Sequence, residues 1–299
     1  MVWPERQLEA RSRAWAKANF SFFKGAKRAE LLECEVFGRE ILALKSMTHQ
    51  EQLGTLIVTG ASRGIGTAVA TLAADRGYAV AVNFAAGERE AAKVVEKIVF
   101  RGGHAIAIQA DISQEEQIIR MFQTAERELG PIKALVNNAA VTGGFARVEE
   151  VSSAAIAKVF AVNVTGTILC AREAVRRMST RRGGSGGAIV NISSRAAHTG
   201  SPGEWVHYAA SKGAIDSFTI GLAREVAREG IRVSAVAPGL VDTGLHAANG
   251  DPNRLQRLLG TIPMGRAGEP REIAEGVLWL LSSAASYATG TILQIGGRR

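Results

Sequence analysis

Cysteine is nearly absent from this chain. Cys34 and Cys170 are the two thiols in 299 residues and lie far apart, which excludes a disulfide framework and a cysteine-rich zinc site. The five histidines lack metal-ligand spacing, so no metal is expected. No apolar run approaches the ~18 residues that span a bilayer. The N-terminus has no short apolar block followed by a small-residue cleavage site, the mark of a secretory signal. These absences point to a soluble protein of a reducing, cytoplasmic compartment, without a membrane partner. What is present, 46% hydrophobic and 21% charged residues, excludes wholesale disorder. The length suits one large domain or two small ones.

The formal charge is +8. Residues 1–46 hold nine basic and six acidic side chains, and the other 253 residues hold 27 and 22. The first 46 residues also carry six aromatics: Trp3, Trp15, Phe20, Phe22, Phe23 and Phe37. Composition therefore changes near Met47, and the chain divides into an extension, 1–46, and a domain, 47–299. No nucleic-acid-binding motif accompanies the charge, so a nucleic-acid partner is not expected.

From Thr55 onward, short apolar runs alternate with helical patterns. Strands are expected at 55–59, 79–83, 105–108, 132–136, 188–192, 231–236 and 291–294. Helices are expected at 64–76, 88–101, 152–177, 208–229 and 270–281, and one after Ser113, where Glu116 completes a capping pattern. The strands are continuously apolar, as in parallel sheets covered on both faces. The fold class is thus α/β: a Rossmann-type, doubly wound parallel sheet of about seven strands. The stretch from Arg181 to Gly187 reads as a helix-to-strand turn.

Thr59-Gly-Ala-Ser-Arg-Gly-Ile-Gly66 joins the first strand to the first helix. Gly60, Gly64 and Gly66 permit a tight turn and close approach to a pyrophosphate, which the helix N-terminus stabilises. Ser62, Arg63 and Ile65 share this turn. NAD sites place an acid at the end of the second strand for the ribose 2′-hydroxyl. Here that strand ends Asn83-Phe84-Ala85, and Arg63 stands in the turn. A missing anion and an added cation both favour NADP.

Tyr208 and Lys212 lie four residues apart, on one face of a helix. A phenol is a poor base at neutral pH, and a nearby cation lowers its pKa. The pair is therefore a candidate general acid/base. Polar residues gather at the carboxyl ends of the strands: Asn137 to Ala140, Ser193-Ser194, and Pro238-Gly239 with Thr243 beyond. Ligands bind at that edge of open α/β sheets.

With these pieces in this order, residues 53–297 resemble the short-chain dehydrogenase/reductase family, in particular its 3-oxoacyl-carrier-protein reductase and glucose dehydrogenase-like branch. The resemblance implies that Tyr208 exchanges a proton with the substrate oxygen. It implies that Lys212 lowers the tyrosine pKa and bonds the nicotinamide ribose, that Ser194 (rather than Ser193) holds the substrate oxygen, and that Asn163 supports a relay water. It puts Asp111 and Ile112 near the adenine, Asn137 and Ala139 along the ribose, and Pro238, Gly239 and Thr243 at the nicotinamide. It implies hydride transfer to a carbonyl or from a secondary alcohol, and a homotetramer. Epimerase or dehydratase chemistry on the same fold is the alternative, with a non-catalytic NADP-binding regulator the third reading. Three departures stand out: Ala140 where the family usually has Gly, Gln294 where Asp is frequent, and a Ser-to-Tyr gap one residue longer than in many carrier-protein reductases.

Other residues crowd the segment. Arg195 and His198 are candidates for an anionic substrate, and Trp205 and His246 for the substrate mouth. His207 is read as a loop residue, and Cys170 as core or interface rather than nucleophile. Specificity is expected from 142–150, 195–206 and 244–262. Residues 1–46 have no counterpart in the family pattern; we expect them to be upstream sequence read from an early start codon, with Met47 the true start, over an added helix or flexible extension.

Overall fold

The computed structural model describes residues 53–243 and 253–297. The boundary near Met47, Cys34 and His246 lie outside them. Seven strands form one sheet: β1 Thr55–Val58, β2 Ala79–Phe84, β3 His104–Gln109, β4 Ile132–Asn137, β5 Gly187–Ile192, β6 Ile231–Pro238 and β7 Ile292–Ile295. Their order is β3-β2-β1-β4-β5-β6-β7, and every pairing is parallel. The chain leaves β1 in one direction and returns beside it as β4. That reversal is the topological switch point where such sheets bind ligands.

The apolar strand runs follow from burial on both faces. Alternation sends Leu56 and Val58 of β1 to one core and Ile57 to the other. On the first face they meet Val69 of helix α1 (Gly64–Asp75) and Val277 of a later helix, Pro270–Leu281. On the second, Ile57 joins Phe122 and Cys170. The two edge strands depart from the expectation: β3 and β7 are largely half-buried or exposed, because each has a neighbour on one side alone.

Helix α2 spans Glu88–Phe100 and α3 spans Glu115–Leu129. The Ser113 cap does not form; Gln114 is the cap residue, without a side-chain bond. Both the Ser113 N–H and its hydroxyl donate to Asp111 Oδ1 instead, at 2.9 and 2.7 Å. Helix α4, Ser153–Met178, starts as expected, with Ser152 Oγ accepting from the Ala155 N–H. Its middle, Ala161–Gly166, widens into a π-helical turn. By length and composition α4 resembles a membrane span, a match the apolar-run criterion missed because polar residues interrupt it. Val159, Val162, Cys170, Ala171 and Ala174 bury its inner face in the fold. After β5 come a short helix α5, Ala196–Thr199, and α6, Val206–Val226. After β6 come α7, Arg254–Leu258, and α8, Pro270–Leu281. Pro270 and the reciprocal Glu269/Glu272 capping box start α8.

Candidate active site

A cavity of about 470 Å³ runs along the carboxyl edge of the sheet, from the β1–α1 turn to α6. Its first wall is the glycine turn. Gly60 and Gly64 have φ of 63° and 56°, a region that favours glycine. At Gly60 a Cβ would stand 2.8 Å from Ala139 Cα; at Gly66 it would stand 2.5 Å from Gly60 O. The turn is clasped to the end of β4. Thr59 Oγ1 accepts from the Asn138 and Ala139 N–H groups at 2.9 and 3.0 Å, and Asn138 Nδ2 donates to Thr59 O and Gly60 O at 2.9 and 3.0 Å. No side chain caps α1, so its first amides face the cavity mouth as an anion site. A turn too tight for side chains, an uncapped helix start and a long edge cavity fit a dinucleotide.

Gly60, Ser62, Arg63, Gly64 and Ile65 line the cavity. Gly66 does not; it is a packing glycine beneath the turn. Asn83 lines it too, though its amide is engaged: Oδ1 accepts from the Gly60 N–H at 3.2 Å, and Nδ2 donates to Ile108 O and Ala110 O at 3.3 and 3.0 Å. Asn83 thus holds the turn in place. Ala85 and Ala86 continue the wall with no acid. At the β3 end, Asp111 and Ile112 line the cavity. Partial burial works against the Asp111 charge, but the Ser113 bonds and Lys158, 3.5 Å away, hold its carboxyl below the usual range.

Two asparagines fall outside the cavity. Asn137 is buried within the sheet, donating to Asn191 Oδ1 at 2.9 Å, while Asn191 donates to Thr219 Oγ1 at 2.9 Å. Strand alternation turns Asn137 inward, so Asn138, Ala139, Ala140 and Val141 line the wall in its place. Asn163, in the π turn, is also buried. Its Nδ2 donates to Val141 O at 2.9 Å and Ser211 Oγ at 3.0 Å, and its Oδ1 accepts from the Val141 N–H at 2.9 Å. Asn163 thus positions Val141 and α6.

Tyr208, Lys212 and Ser194 come together at the other end of the cavity. Helix α6 presents Tyr208 and Lys212 one turn apart, and Ser194 follows β5. The Ser194 side chain is close enough to the Tyr208 phenol to lower its pKa, and its hydroxyl accepts from the Ala196 N–H at 3.1 Å. Ser193 turns the other way, donating to Lys212 O at 3.5 Å. Burial pushes the Tyr208 phenol up to about 12, against Ser194 and the Arg254 charge. Burial brings Lys212 down to about 8, against the pull of Asp216. Lys212 Nζ donates to Ile192 O at 2.6 Å and lies 5.7 Å from the Tyr208 ring centroid, and Arg254 is a further cation that lowers the phenol. Pro238, Gly239 and Thr243 close this end.

Arg195 and Trp205 line the cavity; His198 does not, and is exposed, with Nδ1 4.0 Å from Asp216. His207 is buried, with neither ring nitrogen hydrogen-bonded. Cys170 is buried and its thiol pushed far up by burial, with Glu173 adding to the rise, so it is no nucleophile. Sequence reasoning missed Lys158 and Arg254. Neither sits in a local motif, and both reach the cavity through tertiary packing.

A family profile described as enoyl-(acyl carrier protein) reductase matches residues 60–297. The chain is 50% identical over 241 residues to the uncharacterized oxidoreductase YgfF of Escherichia coli (strain K12), covering 81% of this chain and 98% of that one. It belongs to the short-chain dehydrogenase/reductase family. The 3-oxoacyl-acyl-carrier-protein reductase FabG of Staphylococcus aureus is 36% identical over 243 residues, covering 81% of this chain and 96% of its own. Among solved structures, a dehydrogenase/reductase from Sinorhizobium meliloti 1021 superposes with a TM-score of 0.76 at 35% identity, covering 82% of this chain and 94% of that one. As a short-chain dehydrogenase/reductase, the protein is an oxidoreductase of a family that uses a nicotinamide dinucleotide.

Proposed function

We propose that this oxidoreductase is NADP-dependent and interconverts a carbonyl compound and a secondary alcohol, with Tyr208 as the general acid/base. The observation that carries this is that Tyr208, Ser194 and Lys212 meet at one end of a cavity whose other end is the glycine turn. The bound nicotinamide supplies or accepts the hydride. Ser194 and Tyr208 hold the substrate oxygen between two hydroxyls. A phenol with a raised pKa is protonated at neutral pH, which suits proton donation during carbonyl reduction. Lys212, fixed on Ile192 O beside the tyrosine, is ready for the ribose hydroxyls. Asp111, Ile112, Ala139, Pro238, Gly239 and Thr243 carry the remaining dinucleotide contacts.

The NADP assignment is supported by Arg63, exposed at the cavity mouth, and by Ala85 and Ala86 where an acid would repel a 2′-phosphate. The test is the ratio of kcat/KM for NADPH and NADH with one carbonyl substrate. NADPH preference is expected; NADH preference overturns the assignment. A homotetramer is part of the same proposal, supported by Ile156, Phe160 and Ile168 exposed on α4 and Ile220 on α6. Sedimentation equilibrium tests it, and a monomer overturns it.

A further inference from the structure

Three segments meet on one pair of residues at the substrate end of the cavity. Glu204 and Trp205 end the turn between α5 and α6. The Ala146 N–H donates to Glu204 O at 3.1 Å, which ties in the segment after β4. The Glu204 carboxylate accepts from Arg254 of α7, with Nη2 at 2.7 Å from Oε2 and Nε at 3.2 and 3.3 Å from Oε2 and Oε1. Trp205 touches the same two segments: Phe145 stacks on it with centroids 4.7 Å apart, and the Arg254 guanidinium lies 4.4 Å over its ring. The Trp205 carbonyl accepts from the Ala209 N–H at 2.8 Å, which fixes this residue to the helix of Tyr208.

The clasp is held at every level. Trp205 is 4% exposed and Arg254 5%. An ion pair this far from water depends on both partners, and removing one strands the other. The backbone is committed to the same arrangement. Among the described residues, Ser201 is the one non-glycine with a left-handed φ, 46°. Its carbonyl accepts from the N–H groups of Glu204 and Trp205, at 3.2 and 3.1 Å. Such a conformation is costly for a residue with a side chain and persists where its surroundings hold it. Trp205 then meets Tyr208 in a T-shaped contact, ring centroids 5.9 Å apart, and both line the cavity. A fixed indole therefore stands beside the phenol.

We infer that Glu204 is a positioning residue that holds Trp205 as a wall, and that this wall makes the substrate a carbonyl compound with one small arm: an aldehyde or a methyl ketone, or the matching alcohol. This rests on the carbonyl–alcohol reading above. A ketone whose oxygen lies between Tyr208 and Ser194 carries two further groups on its carbonyl carbon. One runs along the cavity toward its mouth. The other is turned against Trp205, and an indole held by Phe145, Arg254 and its own helix does not give way. In reduction, the carbonyl carbon accepts a hydride from the reduced nicotinamide and its oxygen takes the Tyr208 proton. The products are the alcohol, the oxidised dinucleotide and a tyrosinate that regains its proton from solvent. Glu204 and Trp205 stay out of the bond changes and fix which molecules enter.

The test uses two isomeric pairs with the full chain and NADPH: methyl pentyl ketone against dipropyl ketone, and ethyl acetoacetate against methyl propionylacetate. Within each pair the atoms are the same in number and the shorter arm grows. Wild type is expected to favour the methyl ketone of each pair by at least about tenfold in kcat/KM, the usual cost of a methylene that does not fit. Trp205→Ala removes the wall and Glu204→Gln frees it, so each is expected to bring both ratios to within about threefold of one. A partly folded variant loses equally on both isomers, so the ratio reads the wall and not stability. Should neither variant fold, Trp205→Phe, a smaller ring in the same stack, takes their place with the same expectation. Isomers used equally by wild type, or ratios that the variants leave unchanged, overturn the inference and leave the carbonyl reading intact. Ratios moved by Trp205→Ala and not by Glu204→Gln overturn the role given to Glu204. No NADPH oxidation with any of the four ketones or with butanal overturns the carbonyl reading, and the substrate class with it.

Discussion

Asn163 grips both backbone polar groups of Val141: its Oδ1 accepts from the Val141 N–H and its Nδ2 donates to the Val141 carbonyl, each at 2.9 Å. The π turn of α4 is what brings this amide to the cavity wall. Such turns are rare and concentrate at functional sites. Through Ser211 the same amide also ties α6, the helix of Tyr208 and Lys212. Asn163→Ala leaves the half-buried N–H and carbonyl of Val141 without their side-chain partner, so it should lower stability by roughly 1–3 kcal/mol. Urea denaturation checks this, and an unchanged midpoint counts against it. Turnover should fall with it, since Val141 lines the cavity.

Gly66 is fixed by what surrounds it. A Cβ there would stand 2.5 Å from Gly60 O and 2.6 Å from Asn138 Nδ2, so Gly66→Ala must push the glycine turn off the end of β4. Weakened NADPH binding is expected with the sheet intact. Fluorescence titration of NADPH and far-UV circular dichroism together report this, and wild-type affinity contradicts it.

Arg63 should act on the cofactor's extra phosphate alone. Arg63→Ala removes one charge-assisted contact, worth about 1.5–3 kcal/mol, and should lower kcat/KM for NADPH by roughly 10- to 100-fold while sparing NADH. Equal losses with both cofactors would place Arg63 elsewhere.

Lys212 sets a pH dependence of stability. Its folded pKa is drawn down to about 8 by burial, so between there and the ordinary lysine value of ~10.4 the unfolded chain binds more protons. Stability therefore rises with pH across that window. Tyr208 runs the other way, from its ordinary 10.0 to about 12, where the folded protein holds more protons and stability falls. Chemical denaturation from pH 8 to 10 should give a rise that Lys212→Met lacks; a parallel rise in the variant would assign the titration to another group.

Much of this architecture was legible because buried parallel strands are apolar without alternation, as in Leu56-Ile-Val58, and because Gly60, Gly64 and Gly66 stand where a strand meets a helix. Tyr208 and Lys212 were legible from helical spacing. The phenol's surroundings were not: burial raises its pKa, and Arg254, remote in sequence, lowers it. Asn137 was misplaced by one residue because strand alternation, invisible in a run ending Val136-Asn137-Asn138, decides which asparagine faces the cavity. Ser113 was given to a helix start, yet Asp111, two residues back, offers its hydroxyl a charged acceptor.

The central claim is that Tyr208 transfers the proton in an NADP-linked carbonyl reduction. It is tested most directly by NADPH oxidation, followed at 340 nm over a carbonyl panel, for wild type and Tyr208→Phe side by side with NADPH titrations. Wild type should turn over, and Tyr208→Phe should lose about 10²- to 10⁴-fold, the usual contribution of a general acid, with NADPH affinity retained. A Tyr208→Phe enzyme of wild-type activity, or a wild type that binds NADPH firmly and reduces no carbonyl, would contradict the account.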